Sequence, residues 1–449
     1  MYTKRVFKCR VCGNPVLHHV INLGEQYLQG SFVKPGCQNP PTRKLPTELV
    51  RCDLDGYENA CGLLQLANTF PQEILYANYW YRSGTNQTMR DHLRGIAEQA
   101  QAYAPKRTDL RVLDIGCNDG TLLNCYPRTF IKYGVDPSDI AQSIPAPTRV
   151  ANTVFPSPET TAMLGGEKVD IVTSIAMFYD LDDPVAFAAG VRDLLADDGV
   201  WVLEMSYMPL MLVRNSFDTI CHEHLEYYSL SSLEQIMARV GLKIFKVELN
   251  EINGGSIRCH VRHGIGTVQT TSEERDFIRW LRIREFEMEL DTGKPYAQFQ
   301  QRIERLRDAT VQLLTDIRSR GERIHVYGAS TKGNVLLQWY GLNRLWIEAA
   351  SDRNPDKDGA HTLGTDIPII SEEKSRNMRP DWYLVLPWHF KLEFLLRERA
   401  TIMAGVKMLF PLPTLHVVDA GNVDAAIAEL QHKAARGNSA VEALSGAVF

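Results

Sequence analysis

A chain of 449 residues with 44% hydrophobic and 23% charged residues has the make-up of a globular protein, and at ~100–200 residues per domain it should hold about three domains. A formal net charge of −5 leaves no dominant basic face and excludes nucleic acid as an expected partner. No secretory leader and no apolar run of about eighteen residues is legible, so the sequence predicts no membrane partner and a cytoplasmic location.

Nine cysteines, odd in number and thinly spread, argue against a disulfide framework. Cys9-Arg-Val-Cys12-Gly13 is a knuckle whose two-residue gap lets both thiolates reach one tetrahedral zinc ion. Cys52 and Cys61 are the expected second pair, with Cys37 as a competing fourth ligand and free buried thiols as the alternative. Four thiolates close the coordination sphere, so the metal would hold a fold and do no chemistry. Residues 1–75 are assigned to this module.

The segment from Tyr76 to Met89 mixes aromatic and polar residues before a helical pattern from Arg90 to about Tyr103. It suits a lid over a substrate or an aromatic brace between domains.

Arg111-Val-Leu-Asp-Ile-Gly-Cys-Asn-Asp-Gly120 reads as a buried strand running into a tight turn, with a helix starting at Thr121. Asn118 stands where a dinucleotide fingerprint needs glycine. Asp114 and Asp119 put negative charge beside the turn, which suits a cationic ligand. A second strand ends at Asp136, placed for ribose hydroxyls. This pattern resembles the S-adenosylmethionine-dependent methyltransferases, whose D-x-G-x-x-x-G loop and following acidic residue match Asp114, Gly116, Gly120 and Asp136. The resemblance implies that cofactor, with Asn118 and Asp119 also in contact. Val169–Ser174 reads as a further strand and Met177–Pro184 as its carboxyl edge, which adds Ser174, Phe178 and Tyr179 to the candidate contacts.

Strand and helix patterns alternate to about Val247, as a doubly wound sheet requires. Within this half, Cys221-His-Glu-His224 is the most unusual local sequence. In an extended segment His222 and His224 share a face and Glu223 takes the other. Imidazoles titrating near neutral pH point to acid–base chemistry, with a metal pair or a structural pair as alternatives. Asn253-Gly-Gly255 is a turn that admits a ligand closely.

A two-helix connector spans about Ser272 to Arg320. Beyond it, Arg323 to Asn334 reads as a second strand-to-helix turn. Ser330, Thr331, Lys332 and Asn334 there suit phosphates, and Arg353 follows the next strand, at Trp346–Ala350. The stretch from Ala420 is helical.

Together, Cys9-x-x-Cys12, Cys61-Gly-Leu-Leu-Gln-Leu66, the Asp114–Gly120 loop, Phe178-Tyr-Asp180, His222-Glu-His-Leu225, Gly254-Gly-Ser256 and Tyr327-Gly-Ala-Ser-Thr-Lys-Gly-Asn334 resemble the sugar-nucleotide C-methyltransferases over nearly the whole chain. The resemblance implies an α/β protein with a Rossmann-like class I methyltransferase core (76–250). Flanking it would be the zinc-binding module and a Rossmann-like nucleotide-sugar module (251–419), with a helical tail (420–449). It implies an enzyme whose base is His224, assisted by Glu223, with Tyr79 or Tyr81 on the sugar. The substrate would be a nucleoside-diphosphate 4-keto-deoxysugar methylated at the adjacent carbon, C-3, and seated between core and C-terminal module with Asn253 nearby. Members of that family commonly carry a tyrosine where Cys221 stands, and the long insertion before Cys61 departs from the usual second knuckle. Alternatives are methyl transfer to oxygen or nitrogen, or a binding protein without turnover. The sequence sets no oligomeric state, and a monomer is compatible with it.

Overall fold

Val112, Leu113, Val172, Val200 and Leu203 are wholly buried, as strands covered on both faces must be. In the computed structural model, which describes residues 3–37, 40–75, 80–265, 269–437 and 439–447, they lie in a seven-stranded central sheet. Its order is Leu242–Asn250, Ser256–His263, Leu195–Ser206, Val169–Ile175, Arg111–Ile115, Ile131–Val135, Arg149–Ala151. All pairs are parallel except those of Ser256–His263, which is antiparallel to both neighbours. Strand order reverses beside Arg111–Ile115, so a crevice opens at the carboxyl end of that strand. Across residue 250 the chain forms a hairpin that completes the sheet, with Leu242 pairing with His263 and Asn250 with Ser256.

The N-terminal sheet is antiparallel, in the order Glu226–Tyr227, Leu64–Leu66, Leu45–Cys52, Leu17–Gln26. Its first strand comes from far along the chain, directly after His224. Leu66 N–H donates to Leu225 O at 2.9 Å and Leu225 N–H to Tyr179 O at 2.7 Å, which pins that segment between the zinc module and the central sheet.

The C-terminal sheet runs Ile369–Ser371, Ala349–Asp352, Ile324–Tyr327, Trp382–Val385, Lys407–Phe410, His416–Val418, parallel except for its last strand. Its second strand in sequence starts later than the expected Trp346–Ala350, because Trp346 N–H closes a turn onto Asn343 O. Order reverses beside Ile324–Tyr327, giving a second crevice. Helices Ser272–Glu287 and Lys294–Ser319 form the connector, the first opened by a capping box of Thr271 and Glu274. One apolar core runs through all three parts, from Leu49 and Phe70 through Leu203 to Tyr327 and Leu384. No described helix is long and apolar enough to cross a membrane.

Candidate active site

The central strand turns away at Gly116, φ 80°, where a Cβ would stand 2.9 Å from Met177 Cγ, so only glycine fits. Asn118 follows at φ 49° and donates its N–H to Asp136 Oδ2 at 2.8 Å. Asp136 Oδ1 accepts from the Ser138 N–H and hydroxyl at 2.8 and 2.6 Å. Asp114 is buried and accepts the Thr173 hydroxyl at 2.6 Å. Burial pushes its carboxyl up to about 7; the Thr173 bond opposes this, and the charges of Asp136 and Asp119 add to it.

The side chains of Asn118 and Asp119 hold a strap. Asn118 donates to Tyr81 O and accepts from Ser83 N–H, both at 3.0 Å, and Asp119 accepts from Gly84 N–H at 2.8 Å. The other side of the strap belongs to the C-terminal sheet: Asn354 donates to Trp80 O at 2.8 Å, and Arg82 pairs with Asp356 at 3.0 Å. Residues 80–86 therefore span two crevices that open into one cavity of ≈ 590 Å³.

On the central side this cavity is lined by Asp114, Gly116, Asn118, Asp136 and Tyr179. Ser330, Lys332 and Arg353 line the C-terminal side, and Tyr81, Glu223, His224 and Asn253 lie between. Tyr79 lies outside the described residues. Asp119 and Gly120 sit behind the turn, not on the cavity wall. Ser174 is spent on Trp201, accepting its indole N–H at 3.1 Å, and Phe178 packs among Phe187, Trp201 and Tyr228. Asn334 is buried and donates to Gln29 O at 2.7 Å, joining the C-terminal helix to the N-terminal module. Ser330 caps the helix Thr331–Tyr340 by accepting from Gly333 N–H at 3.0 Å.

The histidine segment is not extended. His224 N–H bonds Cys221 O at 3.2 Å, closing a turn, so the two histidines do not share a face. His222 faces the N-terminal sheet, with Nε2 3.2 Å from Thr47 Oγ1 and its ring edge-on to Phe70 at 4.6 Å. Burial holds it down at about 4. His224 enters the cavity, its ring 4.1 Å from that of Tyr179. Its Nδ1 lies 2.8 Å from Thr219 O, a group that only accepts, so the proton sits on Nδ1 and Nε2 carries the free lone pair. Burial, and then the charge of Lys332, hold this imidazole at about 3. Burial pushes Glu223 the other way, up to about 7.

Sequence reasoning missed several residues here. Gly30 touches Glu223 so closely that a Cβ would lie 1.7 Å from Oε1; no local signal marks it. Glu204 also lines the cavity, paired with Arg258 at 2.8 Å and His92 at 2.5 Å. An ionisable residue inside the apolar run Val200–Met205 was the available clue. His389, in the short helix Trp388–Phe390 after the strand Trp382–Val385, also lines the cavity and carries no local sequence signal.

Away from this cavity, the Cys9–Cys61 and Cys12–Cys52 sulfurs lie 3.4 and 3.5 Å apart, and all four fall within 4.8 Å of one another. Zn–S bonds of about 2.3 Å arranged tetrahedrally space sulfurs by about 3.8 Å, so the donor set fits zinc. Cys37 is exposed and outside the cluster, and Cys52 is the fourth thiol of the group. Metal analysis should find one zinc per chain. Cys61→Ser should lose it and melt at lower temperature; a full zinc complement in that variant would refute the assignment.

Three family models match in sequence: a zinc binding domain over residues 9–76, a methyltransferase domain over 86–247, and a C-methyltransferase C-terminal domain over 251–413. The chain is 27% identical over 424 residues to C-methyltransferase NovU of Streptomyces niveus, covering 92% of this chain and 97% of that protein. Among solved structures it is similar to the magnesium protoporphyrin IX methyltransferase of Synechocystis with bound S-adenosylhomocysteine, at 15% identity over 39% of this chain and 87% of that one, TM-score 0.31. It is likewise similar to the CcbJ methyltransferase of Streptomyces caelestis, at 13% identity over 38% and 89%, TM-score 0.30.

Proposed function

This chain belongs to the S-adenosylmethionine-dependent C-methyltransferases with a zinc-binding N-terminal module, and from that premise we propose that it methylates carbon next to the ketone of a nucleoside-diphosphate 4-keto-deoxysugar, at C-3. The observation that carries the reading is His224: a neutral imidazole with Nε2 free, in a cavity shared by both crevices. A ketone acidifies the neighbouring C–H, and a base of this kind can remove that proton. The C–H electron pair becomes the C=C bond of an enolate, and the carbonyl π pair moves onto oxygen. Bound S-adenosylmethionine supplies an electrophilic methyl group for the enolate carbon. The sugar is taken to lie against Tyr81 and Asn253, with its diphosphate toward Ser330 and Arg353.

Cofactor contacts are assigned on the same footing. Gly116 opens room for close approach, Asp136 takes the ribose hydroxyls, and Asp114 faces the cationic end. Asp136→Ala should weaken cofactor binding roughly 10- to 100-fold, the worth of charge-assisted hydrogen bonds. Calorimetry would detect this, and an unchanged affinity would remove Asp136 from the site.

The reaction is tested by mass spectrometry of the protein incubated with S-adenosylmethionine and a panel of nucleoside-diphosphate 4-keto-6-deoxysugars in deuterated water. One added methyl on carbon, with deuterium entering the adjacent position, is expected. A methyl ether or amine would replace this reading with O- or N-methylation.

A further inference from the structure

Lys332 stands in the first turn of the helix Thr331–Tyr340, where a lysine facing a diphosphate would be unremarkable. Its side chain goes elsewhere: Nζ donates to Asn253 O at 2.7 Å, reaching across the cavity to the turn before Ser256–His263. Two further N–H donors remain on the ammonium. The carboxylate whose charge bears on it is Asp218, which is buried. One of its oxygens accepts the Trp388 indole N–H at 3.0 Å, and the other has no hydrogen-bond partner among the described residues. Asp218 adjoins Thr219, whose carbonyl fixes His224, so the lysine, its counter-charge and the imidazole share one corner. The electrostatics agree: the Lys332 charge is felt at His224 and at His389, another imidazole lining this cavity.

That corner lacks another donor the sequence led us to look for. Cys221, at the position of the tyrosine in related enzymes, is fully buried and does not line the cavity, and burial pushes its thiol up.

We propose that Lys332 is a catalytic residue, the donor that stabilises the enolate oxygen, and not a phosphate ligand. The inference rests on the enolate chemistry proposed above. When His224 Nε2 takes the proton from carbon, the charge collects on the former carbonyl oxygen, and a Lys332 N–H donates to it without transferring its own proton. As the C=C pair forms the bond to the methyl carbon, the C–S pair stays on sulfur, the oxygen pair returns to rebuild the carbonyl, His224 gives its proton to solvent, and Lys332 is left as it began.

The test compares Lys332→Met and Lys332→Arg with the wild-type protein on a 4-keto-6-deoxysugar nucleotide that the wild type exchanges. It measures deuterium entry at saturating sugar nucleotide without cofactor, then kcat and KM for methylation. Loss of an oxyanion donor costs roughly 10²–10³-fold, so Lys332→Met should lose that much in both exchange and kcat, with KM moved less than about tenfold. Lys332→Arg keeps the charge and should recover part of both rates. Wild-type exchange and kcat in Lys332→Met with a KM raised about 100-fold would overturn the proposal in favour of a phosphate ligand. Should Lys332→Met not fold, Lys332→Gln with an unshifted melting curve serves for the same comparison. Absence of exchange in the wild type across the whole sugar panel would overturn the enolate reading and this proposal together, whereas exchange lost in Lys332→Met and partly restored in Lys332→Arg would support it.

Discussion

His224→Asn is expected to lower kcat by about 10³- to 10⁴-fold, the upper part of what a positioned base contributes. Asparagine can keep a hydrogen bond to Thr219 O, which now receives the Nδ1 proton at 2.8 Å, but it offers no lone pair of imidazole basicity to the cavity. The same variant should fail to exchange the substrate C–H in deuterated water while binding cofactor as the wild type does. These readouts separate the base from a merely structural imidazole: a structural role would shift the melting curve and cofactor affinity together with the rate. His222→Asn is the internal control. Its ring faces Thr47 and Phe70, so it should cost stability and leave exchange in place. Exchange that persists in His224→Asn would move the role to another group on the cavity wall, with Glu223 and His389 the first to be substituted.

Which of these features could be read from the chain follows from the range of the interactions that set them. The turn from Gly116 to Gly120 is encoded locally, because left-handed backbone and close packing at fixed offsets require glycine there. The zinc knuckle is local in the same way. Choosing between Cys52 and Cys37 was not, since it depends on Leu17 pairing with Cys52 across the N-terminal sheet. The histidine segment misled because a two-residue period was read as an extended strand. Its turn is imposed by flanking contacts to Tyr179 and Leu66 that no local pattern announces. Asn334 shows a similar limit: residue type suggested a polar ligand, whereas helix phase turns it to Gln29, 305 residues away. Gly30 against Glu223 is farther still from any local signal.

Cofactor binding should depend on pH through Asp114. In the ligand-free protein its carboxyl is held near 7 by burial, against an ordinary value of 3.8. The raised value means that the folded protein binds a proton the unfolded chain has released between those limits. This contribution to stability is present in full below 3.8 and is lost as pH rises through 7. His224 and His222, held at about 3 and about 4, act in the opposite sense: their contribution is present above 6.5 and is lost as pH falls through those values. A cationic ligand favours ionised Asp114, so binding must expel its proton whenever the pH lies below 7. Each pH unit then costs about 1.4 kcal/mol, or a tenfold rise in Kd. Between pH 7 and pH 5 the affinity for S-adenosylmethionine should therefore fall roughly 100-fold, and above about pH 8 it should level off. Calorimetry at pH 6 in buffers of different ionisation enthalpy should register close to one proton released per cofactor bound. Asp114→Asn removes the titrating group while keeping an acceptor for Thr173, so its affinity should be weak and nearly flat across the same range. A wild-type Kd that does not change between pH 5 and pH 8 would mean that Asp114 is already ionised before the cofactor arrives. A slope that survives in Asp114→Asn would assign the proton to Glu223, the other carboxyl on this wall held near 7.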